Sequence, residues 1–439
     1  MIDTIATRAV DQNEKVLTDL AKKIWENPET AFNEVKACEW TAEVLRNAGF
    51  EVETGYVGMP TAIRAVWGKG HPVIGFLGEY DALPGLSQKV STEKEPVTPG
   101  AAGQGCGHNL LGAGAFGAAL AVKEWLKDHP EAGRVVLFGC PSEEKGNGKT
   151  IMAREGVFDG LDAAFTWHPD TVNTVVSYST LANVSVFFYF KGVTSHAAAA
   201  PEMGRSALDA AELMNVGCNY LREHIAEGSR LHYVYTHSGE KPNIVPSYAQ
   251  VWYFVRARTR AALDEITQRV IQVAQGAAQM TDTRVESSFL VKGTHTLVND
   301  HLSQLAFSCA QHLEAPHFSE DCVRFAEELH REIPQIEPQF DTHIPCPVAG
   351  TVEYETGSTD LSLVSHAVPT IELCVTCFAK NTPGHHWAIT AQAGGEMGQC
   401  GTMFAAQWLA LMGGRLVEDP CLLKQVQAEF QKRIADEEE

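Results

Sequence analysis

The chain reads as an α/β protein: a catalytic domain with a mixed, largely parallel sheet flanked by helices, interrupted by a smaller α+β domain. Three observations carry that expectation. Short apolar segments at 62–66, 73–77, 135–139 and 163–167 alternate with helical stretches at 11–26, 33–48 and 110–126, as parallel sheets require. Near Leu181 the pattern changes to long strands and long helices, and beyond Gly293 helices return. The apolar run 368–378 and a helix at 395–411 then complete the first pattern.

Taken in order, Ile5, Val10, Val16, Leu17, Leu20 and Ile24 mostly share one helical face, so the N-terminus predicts an amphipathic helix and no signal sequence. The interrupting segment predicts a strand at 183–190, a helix at 205–226, a strand at 245–257, a helix at 261–279 and a strand near 284–289. Residues 182–292 therefore form an inserted domain of about 110 residues, an ordinary domain size. Residues 1–181 and 293–439 form the catalytic domain around it. Polar stretches at 88–104 and 331–350 predict loops, and 435–439 a frayed tail.

A chain of 439 residues, 44% hydrophobic and 20% charged, is neither disordered nor fibrous. It can bury a core without disulfides or structural metal, so a bound metal would serve chemistry. With 34 Lys and Arg against 55 Asp and Glu the net charge is −21, which excludes nucleic acid and anionic membrane as partners. No apolar run approaches the ~20 residues of a membrane helix. Eleven scattered Cys fit reduced thiols in the cytoplasm.

Five clusters could carry chemistry. Glu79 and Asp81 follow the segment 73–77, and Cys106 and His108 open the small-residue helix. Glu143 and Glu144 follow 135–139, His168 follows 163–167, and His385 and His386 lie past 368–378. Thiol, imidazole and carboxylate are the donors that Zn²⁺ or Mn²⁺ accepts. With Gly107 between them, Cys106 and His108 can point the same way from an extended loop. Of two successive carboxylates, one can bind metal while the other faces water as a base. The spacing Gly112, Gly114, Gly117 mimics a dinucleotide fingerprint but lies inside a helix, where close packing explains it. Cys374 and Cys377, three apart on a strand, face opposite ways.

The stretches 78–87 (GEYDALPGLS), 105–112 (GCGHNLLG), 141–144, 149–159 (KTIMAREGVFD), 166–169, 204–210 (GRSALDA), 357–360 (GSTD) and 382–387 resemble the M20 metallopeptidases and amidohydrolases across nearly the whole chain. Within that family the similarity is to the aminobenzoyl-glutamate hydrolase branch. The resemblance implies a ferredoxin-like inserted lid that dimerises and two divalent ions, Zn²⁺ or Mn²⁺. Cys106, His108, Glu144, His168 and His385 would be their ligands and Glu143 the general base. It implies that His196 reaches the scissile carbonyl and that Asn243 and Arg256 approach the substrate carboxylate. Many family members have His where Glu79 stands, which leaves Asp81 as support behind the ligands. Asn109 stands where related enzymes carry Asp, and His386 doubles His385, whose place after Pro-Gly favours it as ligand.

The implied reaction is hydrolysis of an N-acyl or N-aroyl amino acid or dipeptide, with p-aminobenzoyl-glutamate as the leading substrate. Alternatives are an aminoacylase or dipeptidase of other specificity, or a non-catalytic metal-binding subunit. Implied partners are a second copy or a related sister subunit.

Overall fold

The computed structural model describes residues 2–129, 131–145, 148–350, 353–355 and 359–438. Strands β1 (Glu51–Thr54), β2 (Ile63–Lys69), β3 (Val73–Glu79), β4 (Gly133–Cys140), β5 (Ala163–Asp170) and β6 (Thr174–Val175) come first. They are followed by β7 (Tyr178–Ser179), β8 (Ala182–Lys191), β9 (Arg230–His237), β10 (Tyr248–Ala257), β11 (Arg284–Lys292), β12 (Glu353–Tyr354) and β13 (Thr370–Thr376). Helices α1 (Ile2–Gln12), α2 (Glu14–Glu26), α3 (Val35–Asn47), α4 (His108–Lys127) and α5 (Gly148–Arg154) lie in the first part. Then come α6 (Ala207–Leu221), α7 (Arg260–Met280), α8 (Asp300–Ala310) and α9 (Glu320–Glu332). The last are α10 (Leu361–Ala367), α11 (Trp387–Ala393), α12 (Glu396–Glu418) and α13 (Pro420–Glu438).

The chain divides into two compact units, the larger comprising Met1–Ser177, Leu297–Val352 and Leu363–Glu439. Its sheet has the order β1-β2-β4-β3-β5-β13-β6. Strands β4, β3, β5 and β13 run parallel, while β1, β2 and β6 join antiparallel. The carboxyl ends of the four parallel strands therefore open on one edge, where ligand groups collect in such sheets. All of β3 is buried, as expected of a strand covered on both faces.

Helix α4 sits against β3 and α12, and its glycines are there for space. A Cβ on Gly112 would lie 2.5 Å from the Glu79 carbonyl oxygen, one on Gly114 2.7 Å from Trp167, and one on Gly117 2.9 Å from Ala406. Close packing, not dinucleotide binding, is what this spacing serves.

The smaller unit comprises Tyr178–Thr296 and Glu353–Ser362, so it takes in a short segment that the sequence places in the larger one. Its antiparallel sheet, β11-β8-β10-β9, buries Val184, Val186, Phe188 and Phe190 of β8 against α6 and α7. Ser206 caps α6 by accepting from the Asp209 N–H, and Thr259 caps α7 likewise from Ala262.

Several expected bounds need correction. β5 runs on through His168 and Pro169, α6 ends at Leu221, and residues 435–438 are helical where a frayed tail was expected, since α13 continues to Glu438. β9 was not foreseen. Positions 357 and 358 of the GSTD motif lie outside the described residues.

Candidate metal centre

Glu79 closes β3, Glu143 and Glu144 follow β4 and His168 lies within β5, while Cys106 and His108 sit at the start of α4 and His385 in the loop before α11. Cys106 and His108 are not on an extended loop, as the spacing suggested. Gly107 adopts a left-handed conformation (φ 85°) as N-cap of α4, so His108 is the first helical residue. A Cβ at Gly107 would lie 2.8 Å from Pro169 and 3.1 Å from Phe378, so both conformation and space demand glycine there.

The structure brings Cys106, His108 and His168 into one donor cluster, with ligating atoms within 4.8 Å of one another, and Cys106, Glu144 and His385 into a second. A third joins Glu79, His108 and Glu143. Cys106 Sγ lies 3.2 Å from His168 Nε2, and His385 Nε2 3.5 Å from Glu144 Oε2. His386 is engaged elsewhere, capping α11 with its Nδ1, which accepts from the Ala388 N–H at 3.3 Å. Asn109 is a structural tie whose amide donates to the carbonyls of Ala21 and Ala393.

Imidazole orientation is fixed from behind. His108 donates from Nδ1 to Asp81 Oδ1 at 2.9 Å, and His168 from Nδ1 to the Pro169 carbonyl at 2.8 Å. Each ring thus turns Nε2 into the cluster. Asp81 also accepts the Glu144 N–H through Oδ2 at 3.0 Å, so one buried carboxylate positions a histidine and a glutamate together.

Protonation follows from this crowding. Burial pushes the Cys106 thiol up, but the imidazoles of His168 and His108 outweigh it and hold the thiol well below its ordinary range. Burial and then the neighbouring Cys106 charge raise Glu144 to about 7. For Asp81, burial is outweighed by His108, and its carboxyl stays low. Glu79 Oε2, His108 Nε2 and Glu144 Oε1 are all buried without a hydrogen-bond partner. Orphaned lone pairs cost free energy unless a cation supplies what no donor does. Thiolate, imidazole and carboxylate suit a borderline divalent ion. The residues fit the group.

Two contributors were not among the candidate site residues. Glu34, fully buried, accepts from the backbone N–H of Ser142 at 3.0 Å and of Phe32 at 2.8 Å. Ser142 has a positive φ of 62° directly before Glu143, so Glu34 pins the strained turn presenting the two glutamates. Lys149 pairs with Glu79 at 2.6 Å in the interior.

In the smaller unit His196 and Asn243 lie on adjoining loops, with the Ala197 N–H donating to the Asn243 carbonyl at 3.0 Å and a β-bridge between His196 and Ile244. His196 Nδ1 accepts from the N–H groups of Ala198 and Ala199 at 3.2 and 3.1 Å. Its proton is therefore on Nε2, on an exposed ring. Arg256, half-buried on β10, lies 5.8 Å from the Phe254 ring centroid.

Comparison with known proteins agrees with the fold. The model of peptidase family M20/M25/M40 matches residues 75–386, and the chain belongs to that family. It is 39% identical to one of the subunits of the p-aminobenzoyl-glutamate hydrolase of Escherichia coli (strain K12), over 97% of this chain and 94% of that protein. It is 28% identical to the Xaa-Arg dipeptidase of Mus musculus, over 99% and 93% of the two chains. A solved dinuclear metal binding peptidase of the M20 family from Bacillus subtilis has the same fold, with a TM-score of 0.63 at 18% identity over 93% of this chain and 99% of that one.

Proposed function

We propose that this member of the M20/M25/M40 family is a metallo-amidohydrolase acting on N-acyl or N-aroyl amino acids. Its leading substrate is p-aminobenzoyl-glutamate, released as p-aminobenzoate and glutamate. The observation that carries the reading is the convergence of Cys106, His108, Glu144, His168 and His385 into shared donor clusters, in which His108 Nε2 and Glu144 Oε1 are buried without a hydrogen-bond partner. The 39% identity to a chain of an enzyme named for that substrate supplies the specificity.

In this reading the five side chains hold two divalent cations, Zn²⁺ or Mn²⁺. Such a pair, when bound, supplies a Lewis acid for the carbonyl and a water of lowered pKa. Glu143 takes the proton of the attacking water and passes it to the departing amine. His196, carrying its proton on Nε2, donates to the oxygen that gains charge in the transition state. Asn243 and Arg256 take the substrate carboxylate. Asp81 and Glu34 touch no substrate; they hold His108, Glu144 and the Ser142 turn in place.

Glu143→Gln is expected to keep both cations, measured by elemental analysis, and to lower kcat for glutamate release by about 10²–10⁴-fold. Retained turnover, or loss of the cations, removes Glu143 from this role.

A dipeptidase of other specificity is the second reading, supported by 28% identity over 99% of the chain to a dipeptidase. A panel of N-acyl amino acids and dipeptides decides between them by kcat/KM. A homodimer through the smaller unit, or pairing with a sister chain as the relative's name suggests, is the assembly to test by light scattering. No helix among the described residues is long and apolar enough to cross a membrane. The eleven free thiols fit the reducing cytoplasm.

A further inference from the structure

Glu79 closes β3 and is 5% exposed. Lys149, in the first turn of α5, is 1% exposed, and its Nζ lies 2.6 Å from Glu79 Oε1. One carboxylate oxygen is thereby satisfied. The other, Oε2, has no hydrogen-bond partner and lies 3.2 Å from His108 Nε2, which has none either. Since His108 Nδ1 donates to Asp81, the atom facing Glu79 is the nitrogen available for coordination. The two atoms also stand in one donor cluster with Glu143, their ligating atoms within 4.8 Å of one another. Two ligands each about 2.1 Å from one ion and about 100° apart are about 3.2 Å from each other.

The geometry points to Glu79 as a further cation ligand, at the position His108 serves, with Lys149 as the residue that holds it there and balances its charge. The Glu79–Lys149 pair brings an oxygen donor without adding net negative charge to a set that already contains a thiolate and Glu144. It also adds a hard donor to a soft one, which favours Mn²⁺ more than the sulfur and imidazoles alone would. The inference rests on the two-cation reading.

The test uses metal-stripped full-length protein, Mn²⁺ as probe, equilibrium dialysis for uptake and thermal unfolding for the Mn²⁺-induced shift. Glu79→Gln keeps an oxygen for Lys149 and is expected to weaken Mn²⁺ uptake at least about ten-fold, with a smaller shift. Lys149→Met leaves a charged carboxylate unpaired in the stripped protein. Its Tm should fall without metal and its Mn²⁺-induced shift should exceed that of the wild type. The two variants thus move in opposite directions. A merely structural ion pair lowers both Tm values and leaves the Mn²⁺ shift and uptake at wild-type size, which overturns the inference alone. Wild-type protein that takes up no cation overturns the two-cation reading itself.

Discussion

His108 and His196 are each fixed through Nδ1, in opposite senses. In the larger unit the fully buried His108 donates from Nδ1 to a buried carboxylate and turns Nε2 toward other donors. In the smaller unit His196 accepts at Nδ1 from two backbone N–H groups of its own loop and keeps its proton on Nε2, on an exposed ring. In the proposed mechanism the same side chain serves as a cation ligand in one place and as a hydrogen-bond donor in the other. Which it becomes is decided by the partner behind the ring.

His196→Ala puts this contrast under the greatest strain. As a transition-state donor its loss should lower kcat about 10²–10³-fold. Cation content and Tm should not change, because the ring is exposed. If cations leave with the ring, His196 belongs with the ligands and the contrast fails.

A second test concerns the smaller unit's own buried imidazole, His295, whose pKa burial pushes down to about 4. Unfolded histidine titrates near 6.5, so on acidification the unfolded chain takes the proton first. Stability is full above pH ~6.5 and is lost as pH falls toward 4, by roughly 3 kcal/mol from this group. Urea unfolding of wild type and His295→Leu between pH 7 and 4 measures it. A variant with undiminished acid sensitivity removes His295 as the cause.

Asp81→Asn probes the two histidines from the ligand side. An amide N–H can donate to Nδ1 and leave the proton on Nε2, converting His108 toward the tautomer of His196. Cation affinity should fall about 10–100-fold, read by dialysis, with the fold kept. Unchanged affinity means the ring is held by something else.

The smallest expected effect is at Ser142, whose positive φ and buried, unpartnered hydroxyl both favour glycine. Ser142→Gly should raise stability by about 1 kcal/mol while lowering kcat, because the turn presenting Glu143 loosens. A variant that is less stable shows that the turn holds no strain.

The alternating apolar segments were enough to foresee the parallel strands β3, β4, β5 and β13, because covered strands are apolar throughout. β9 escaped notice for the opposite reason: it is an edge strand whose residues, apart from Leu231, are exposed or half-buried, and polarity masks its period. The donor residues were legible as clusters because the members of each cluster are neighbours in the chain, Cys106 beside His108 and Glu143 beside Glu144. The partners behind them were not. Glu34 reaches Ser142 across 108 positions and Lys149 reaches Glu79 across 70, separations that only the folded chain closes. The sequence favoured His385 over His386 by its place after Pro-Gly, but the capping of α11 by His386 was not legible there.

Cys106 stands in two of the three donor clusters at once. Its sulfur, held well below the ordinary thiol range by the imidazoles of His168 and His108, is thus shared by both cation positions of the proposed centre and is its most oxidisable atom. A single peroxide equivalent, adding one oxygen there, would disarm both cation positions in one event, and a thiol reductant would restore them together.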